Sequence, residues 1–407
     1  MTARTNLITF HQDRASVWYL ARRAGGVSKH WVRDAIRRGD MDYPNSIPTD
    51  RRHLSNSWLS ATLGATVPGA RVLECESPVH HSGTATRIGL RLSWNQQGQD
   101  ADLPTAVFVK TTNTWQQRMI LGLTGMVKGE SLFYSKFRPQ VDIEAPQGYY
   151  GDYDDDSWRS IAIMEDVEFT KGARFLNPLE TSDRAGMEDL LGDLATLHGH
   201  FWLRPELAAY GLRDSFNLIS FSDSVVNLRR RSHVGVERAG SEIPTTLAGR
   251  TDEVYDANFA TLQLDRTGAS TLLHGDGHAG QRYVTATGRS GLADWQVMHR
   301  GHWAWDVAYT MNTALSVDDR RAWDRDLLSF YLERLAAAGG PVIDFDTAWR
   351  EYRRHAFYPY IAWIFTLGRA AYHPNWQPDE FSKAIIGRTA QAIVDHDSFN
   401  ALDEALH

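Results

Sequence analysis

Two periods of apolar residues divide this chain. Between residues 86 and 94, Ile88, Leu90, Leu92 and Trp94 alternate with Arg87, Gly89, Arg91 and Ser93, the two-residue repeat of a half-buried strand. Residues 106–110 predict a second strand, and residues 141–150 and 160–164 two more around a turn. Residues 115–137 carry a helical pattern, and residues 52–63, between Pro48 and Gly64, an amphipathic one. A small sheet with one long helix is the expected unit. After Met164 the period lengthens, and Met187, Leu190, Leu191, Leu194, Leu197 and Phe201 share one helical face. Short strands are expected over 271–294, then helices over 302–315, 319–338, 346–369 and 378–397. The fold class is therefore α+β, a small N-terminal β-sheet lobe plus a larger, mainly helical C-terminal lobe. An N-terminal helical extension is placed at 1–50, basic over 14–40 and interrupted by Gly25-Gly26. The sheet lobe follows at 51–166 and the helical lobe at 167–407.

Composition narrows the class. At 407 residues the chain exceeds one ordinary core, which agrees with two lobes. Hydrophobic residues at 42% and charged residues at 23% are globular values and argue against global disorder. The net charge of -7 argues against a general nucleic-acid-binding surface. Cys75 is the only cysteine, which excludes an intramolecular disulfide and fits a reducing compartment. The opening residues lack the apolar core of a secretory signal, and the longest apolar run, 360–368, is too short to span a bilayer. The expectation is a cytoplasmic monomer or homodimer that engages neither nucleic acid nor membrane. The acidic run 152–156 reads as a solvated hairpin tip rather than a cation site.

The chemistry concentrates in Leu273-His274-Gly275-Asp276-Gly277-His278-Ala279-Gly280-Gln281 and in Leu292-Ala293-Asp294-Trp295-Gln296. An amide lies five positions after Asp276 and a second carboxylate eighteen after it. Phosphoryl transfer uses this order. A carboxylate orients and deprotonates the attacking hydroxyl, and an amide and a carboxylate hold a metal against the nucleotide phosphates. Mg²⁺ takes oxygen ligands in a tight octahedron and keeps several waters, so two protein ligands plus phosphates suffice.

The run 274–281 resembles the His-Gly-Asp-x-His-x-x-Asn signature of aminoglycoside phosphotransferases and choline-kinase-like enzymes. Ala293-Asp294-Trp295 is similar to their Ile-Asp-Trp, and Trp305-Asp306-Val307-Ala308-Tyr309 to their Tyr-Asp-Leu-Ala. Leu194-Ala195-Thr196-Leu197-His198-Gly199-His200-Phe201-Trp202 resembles a helix of the ecdysteroid-kinase-like branch. The resemblance spans roughly residues 50 to 400. It implies a bilobal protein-kinase-like fold with nucleotide in the N-lobe and catalysis and acceptor binding in the C-lobe. It further implies that Asp276 is the catalytic base, that Asp294 binds Mg²⁺ at the β- and γ-phosphates, and that His274 and Asp306 brace the catalytic loop. His278 lies nearer the phosphates, its role open. Gln281 replaces the family's Asn with an amide one methylene longer. It ligates the metal in an adjusted geometry, leaves that position to water, or marks a degraded site.

Lys110 ends a strand similar to the kinase Val-Ala-Ile-Lys strand, whose Lys contacts the α- and β-phosphates. Glu130, on the following helix, is suited to pair with it and hold it extended. Ser82-Gly83-Thr84 stands where the family has a phosphate-covering turn. Gly83 permits close backbone approach and the hydroxyls can donate, although the full Gly-x-Gly-x-x-Gly is absent. Met164-Glu165-Asp166-Val167 fits the connector between lobes. The resemblance has backbone groups of Glu165 and Val167 reading the adenine edge, with Met164 behind them.

The predicted activity is ATP- and Mg²⁺-dependent phosphorylation of a hydroxyl on a small metabolite or natural product. No long segment resembling a protein-kinase activation loop separates Asp294 from Asp306. Two other readings stand. One is a pseudokinase-like nucleotide-binding or scaffold protein. The other is a metallohydrolase using His274, Asp276 and His278 with His299 and His302, whose nitrogen ligands suit Zn or Fe rather than Mg. The aromatic-rich segment 351–369 is expected to be mostly helix core.

Overall fold

The computed structural model describes residues 17–36, 46–371 and 377–407. Its N-terminal lobe is one antiparallel sheet of β1 (Val72–Ser82), β2 (Thr86–Trp94), β3 (Ala106–Thr111), β4 (Gly148–Asp154) and β5 (Arg159–Glu165), in the order β1-β2-β3-β5-β4. The alternation read in β2 buries Ile88, Leu90, Leu92 and Trp94 with Val107, Val109, Ile161 and Ile163 of the neighbouring strands. Trp58 and Leu59 join that core from the helix Asn56–Leu63, whose N-terminus is capped by Ser55.

Two expectations in this lobe are corrected. The helix read over 115–137 is broken. Trp115–Thr124 ends at Gly125 with φ of +80°, and a 3₁₀ turn, a short helix Gly129–Leu132 and a π-helical turn Phe133–Phe137 follow. The chain bends because it must press close to its neighbours. A Cβ on Gly129 would lie 2.3 Å from the carbonyl oxygen of Gln296. The strand expected from residue 141 begins at Gly148 instead. Upstream, the Arg138 guanidinium takes the carbonyl oxygens of Val141, Ile143 and Ala145, which leaves them unavailable for a strand ladder.

In the C-terminal lobe the helix Ala304–Ala314 is buried along its whole length. Ala304, Val307, Ala308 and Met311 pack into one core with Met187, Leu190 and Leu194 of the helix Arg184–His200. Trp305 and Tyr309 face a second core with Phe357, Tyr360 and Ile364. A helix buried on every side belongs inside a larger body. The segment read as one helix over 346–369 is two, Phe345–Arg354 and Phe357–Leu367, and Tyr352, Phe357, Tyr360 and Trp363 are core residues. Short strands frame the motif region: β6 (Arg174–Phe175), β7 (Thr271–Leu273), β8 (Arg282–Val284), β9 (Ser290–Leu292) and β10 (His299–Gly301). They form a sheet β6-β8-β9 and a pair β10-β7. Among the described residues no helix is long and apolar enough to cross a membrane.

Candidate active site

Asp276 lies in the loop after β7. Gly275 turns that loop at φ of +86°, and a Cβ there would lie 2.5 Å from the carbonyl oxygen of Val297, so only glycine fits. Asp306, fully buried, accepts the backbone N–H of His274 at 2.7 Å and of Gly275 at 2.9 Å. Burial works against its charge, but these bonds and His198, whose Nε2 is 3.2 Å away, hold its pKa below the usual range. His274 Nε2 donates to the carbonyl oxygen of Ala293 at 3.0 Å, and its Nδ1 accepts the N–H of Asp276 at 3.2 Å. The ring is neutral and spans the loop after β7 and the segment before Asp294.

The Asp276 carboxylate is 25% exposed. Tyr309 donates its hydroxyl to Oδ1 at 2.7 Å, and the amide nitrogen of Gln281 is 3.5 Å from Oδ2. Burial raises the Asp276 pKa to about 7, against the opposing pull of the Tyr309 bond. His278 Nε2 lies 3.7 Å from Oδ2, and burial lowers this histidine to about 4, so it is neutral at pH 7.

Lys110, Glu130 and Asp294 meet in the cleft between the lobes. The Lys110 ammonium is 2.8 Å from Glu130 Oε1 and 2.8 Å from Asp294 Oδ1. Burial disfavours that ammonium, but the two carboxylates outweigh it and hold Lys110 above the usual lysine range. Asp294 sits at φ of +62°, a backbone state uncommon outside glycine. The next residue fixes it there, because the Trp295 indole stacks on Phe133 with centroids 3.7 Å apart and planes at 6°. Phe133 lies one turn after Glu130, so a single aromatic contact ties both carboxylates to Lys110.

A cavity of about 400 Å³ opens here, lined by Lys110, Glu130, Asp294 and Gln281 and, at its other end, by Met164, Glu165 and Val167. Ser82, Gly83 and Thr84 are not on this lining. The Gln117 side chain donates to Ser82 Oγ and the Gly83 carbonyl and draws the turn toward the helix Trp115–Thr124. The histidine cluster weighed for a hydrolase does not converge. The His274 nitrogens serve backbone groups, and those of His299 contact the Val297 carbonyl and Ser215 Oγ. His302 instead groups with Asp265 and His355.

Three residues of this site were not singled out from sequence. Arg87 lines the cavity with its guanidinium 3.9 Å from Asp294 Oδ2. Its signal was strand register, since it pairs across β2 and β3 with Lys110. Tyr309 carried a signal too, one helical turn after Asp306. His198, which connects Asp306 to the Tyr331 hydroxyl, carried one as the histidine of the run 194–202, although no role was assigned to it there.

The sequence model of the phosphotransferase enzyme family matches residues 132–358, more than half of the chain. The chain belongs to this family. It is accordingly a kinase-type phosphotransferase, and its α+β fold is the bilobal one. Comparison with curated proteins finds no match. Among solved structures it is similar to a choline kinase from Streptococcus pneumoniae, at 13% identity over 83% of this chain and 98% of that one, with a TM-score of 0.42. A choline kinase from Cryptosporidium parvum is similar at 10% identity over 85% and 98%, with a TM-score of 0.47. A macrolide 2'-phosphotransferase from Brachybacterium faecium is similar at 16% identity over 81% and 98%, with a TM-score of 0.41. These likenesses are remote.

Proposed function

We propose that this protein transfers the γ-phosphate of ATP, with Mg²⁺, to a hydroxyl of a small molecule. The observation that carries the reading is the convergence of Lys110, Glu130 and Asp294 on a cavity beside a braced, partly exposed Asp276. The donor set fits Mg²⁺: a carboxylate and an amide, Asp294 and Gln281, line the same cavity and offer hard oxygen ligands. When bound there, the ion would neutralise charge developing on the β- and γ-phosphate oxygens.

The chain's own groups do the rest. Lys110, held extended by Glu130, and Arg87 beside it present two cations to the phosphates. Asp276 Oδ2 takes the acceptor's hydroxyl proton as the oxygen–phosphorus bond forms and the bond to the β-phosphate oxygen breaks, releasing ADP. Backbone groups of Glu165 and Val167 would meet the adenine edge, with Met164 against the ring. An acceptor would approach Asp276 Oδ2 from the side of Gln281, which lines the cavity and lies 3.5 Å from that oxygen.

The test is an ADP-release screen over hydroxylated small molecules, with calorimetry of ATP–Mg²⁺ binding alongside. Turnover of at least one alcohol, lost in Asp276→Ala, supports the proposal. A parent protein that binds no ATP–Mg²⁺ would sink it.

A further inference from the structure

A buried cluster unused by this chemistry lies where the end of Thr251–Asp265, the approach to Ala304–Ala314 and the end of Phe345–Arg354 meet. Asp265, His302 and His355 each offer a ligand atom, all within 4.8 Å of one another. Their side chains are 5%, 13% and 1% exposed. Asp265 Oδ2 is 3.0 Å from His355 Nε2, and Glu351 Oε2 is 3.6 Å from His302 Nε2. The His355 Nδ1 donates to the Glu351 carbonyl oxygen at 2.6 Å. A carbonyl and a carboxylate both only accept, so Nδ1 and Nε2 each carry a proton here, and Nε2, turned toward the cluster, gives its proton up when an ion takes its place. Metal-binding histidines are held by this same bond to an outer carbonyl.

We infer that Asp265, His302 and His355, with Glu351 as a fourth ligand, form a site for a divalent ion of the zinc type, separate from the nucleotide cleft. Two imidazoles and two carboxylates suit a borderline ion and not Mg²⁺. Arg354 sits beside them, bonded to Asp265 Oδ1 at 2.7 Å and to Glu351. It leaves Oδ2 of Asp265 facing His355 but holds Glu351 Oε2 by two of its nitrogens, so an ion must draw that oxygen away from Arg354. Besides the loss of the His355 Nε2 proton and the freeing of Glu351, binding asks two changes of the rings. The imidazoles are stacked at 4.9 Å and must turn for their lone pairs to converge. His302 Nδ1 must take the proton and release its long 3.3 Å bond from the Ala304 N–H. The ion would then tie three segments together at the start of the helix that carries Asp306 and Tyr309, the residues holding the catalytic loop. This inference does not depend on the phosphotransfer reading.

Untagged full-length protein, stripped with a chelator, is titrated with Zn²⁺ in the absence of nucleotide and Mg²⁺. One ion per chain is expected, with affinity at least tenfold weaker in His355→Gln and Asp265→Asn and unchanged in Asp294→Asn. Co²⁺ added to the parent protein should give the intense visible bands of a four-coordinate ion with nitrogen ligands, a readout that needs no variant to fold. Failure of the parent to bind a stoichiometric ion, equal affinity in both cluster variants, or the weak spectrum of six-coordinate Co²⁺ would overturn the assignment.

Discussion

Asp276 presents two different oxygens: Oδ1 is held by the Tyr309 hydroxyl, and Oδ2 faces Gln281 and His278. In the role proposed for it, Asp276 works ionised, and burial lifts this carboxyl to about 7. Activity should therefore rise with pH, with the acid limb of kcat/KM centred near 7 in the free enzyme. The Tyr309 bond favours the charged form, so Tyr309→Phe should move that limb to higher pH and leave ATP affinity unchanged. A pH–rate series on the two proteins checks both statements. Asp276→Ala should lower turnover by about 10²–10⁴-fold while calorimetry finds ATP binding largely retained. At Gln281 the informative comparison is between substitutions. Gln281→Asn should keep or raise activity, whereas Gln281→Ala should need more Mg²⁺ for half-maximal rate. An alanine variant with the parent's Mg²⁺ curve would show that this amide is no ligand.

Single elements place these residues. The helix Ala304–Ala314 contributes Asp306 to the backbone of the loop after β7 and Tyr309 to the Asp276 carboxylate, so one segment holds both the loop and the proposed base. Asp306→Ala would leave two backbone N–H groups and His198 without their buried acceptor. A loss of about 3–5 kcal/mol in urea-unfolding stability is expected, in the range for breaking a buried charged network. The short helix Gly129–Leu132 depends on a glycine in the same way. Gly129→Ala sets a methyl 2.3 Å from the Gln296 carbonyl. It should push Glu130 away from Lys110 and raise the KM for ATP more than it lowers kcat.

At the scale of the whole molecule, the cleft is a meeting of lobes. Trp295 stacks on Phe133, and Lys110 of β3 reaches across to Asp294 beyond β9. A ligand that binds the folded protein stabilises it by mass action, about 2.7 kcal/mol at one hundred times Kd. ATP with Mg²⁺ should therefore raise the melting temperature of the parent. The rise should shrink in Lys110→Ala, which loses the cation at the centre of the cleft.

Local pattern and short motifs determined much of this. The alternation of β2, the Lys110 strand and the His274–Gln281 run are properties of neighbouring residues, so the α+β division and the candidates Asp276, Asp294, Lys110 and Glu130 were legible in the chain. Other features needed the fold. The break at Gly125 and the late start of β4 follow from close packing and from the carbonyls that Arg138 captures, contacts that no helical or strand period encodes. The tie from Gln117 to the Gly83 carbonyl joins two segments that no local period relates. His302 was grouped by sequence proximity with His274 and His278, while its partners Asp265 and His355 come from segments far along the chain. Spacing along a chain reports which residues share an element, and only tertiary packing decides which elements bring their side chains to one point.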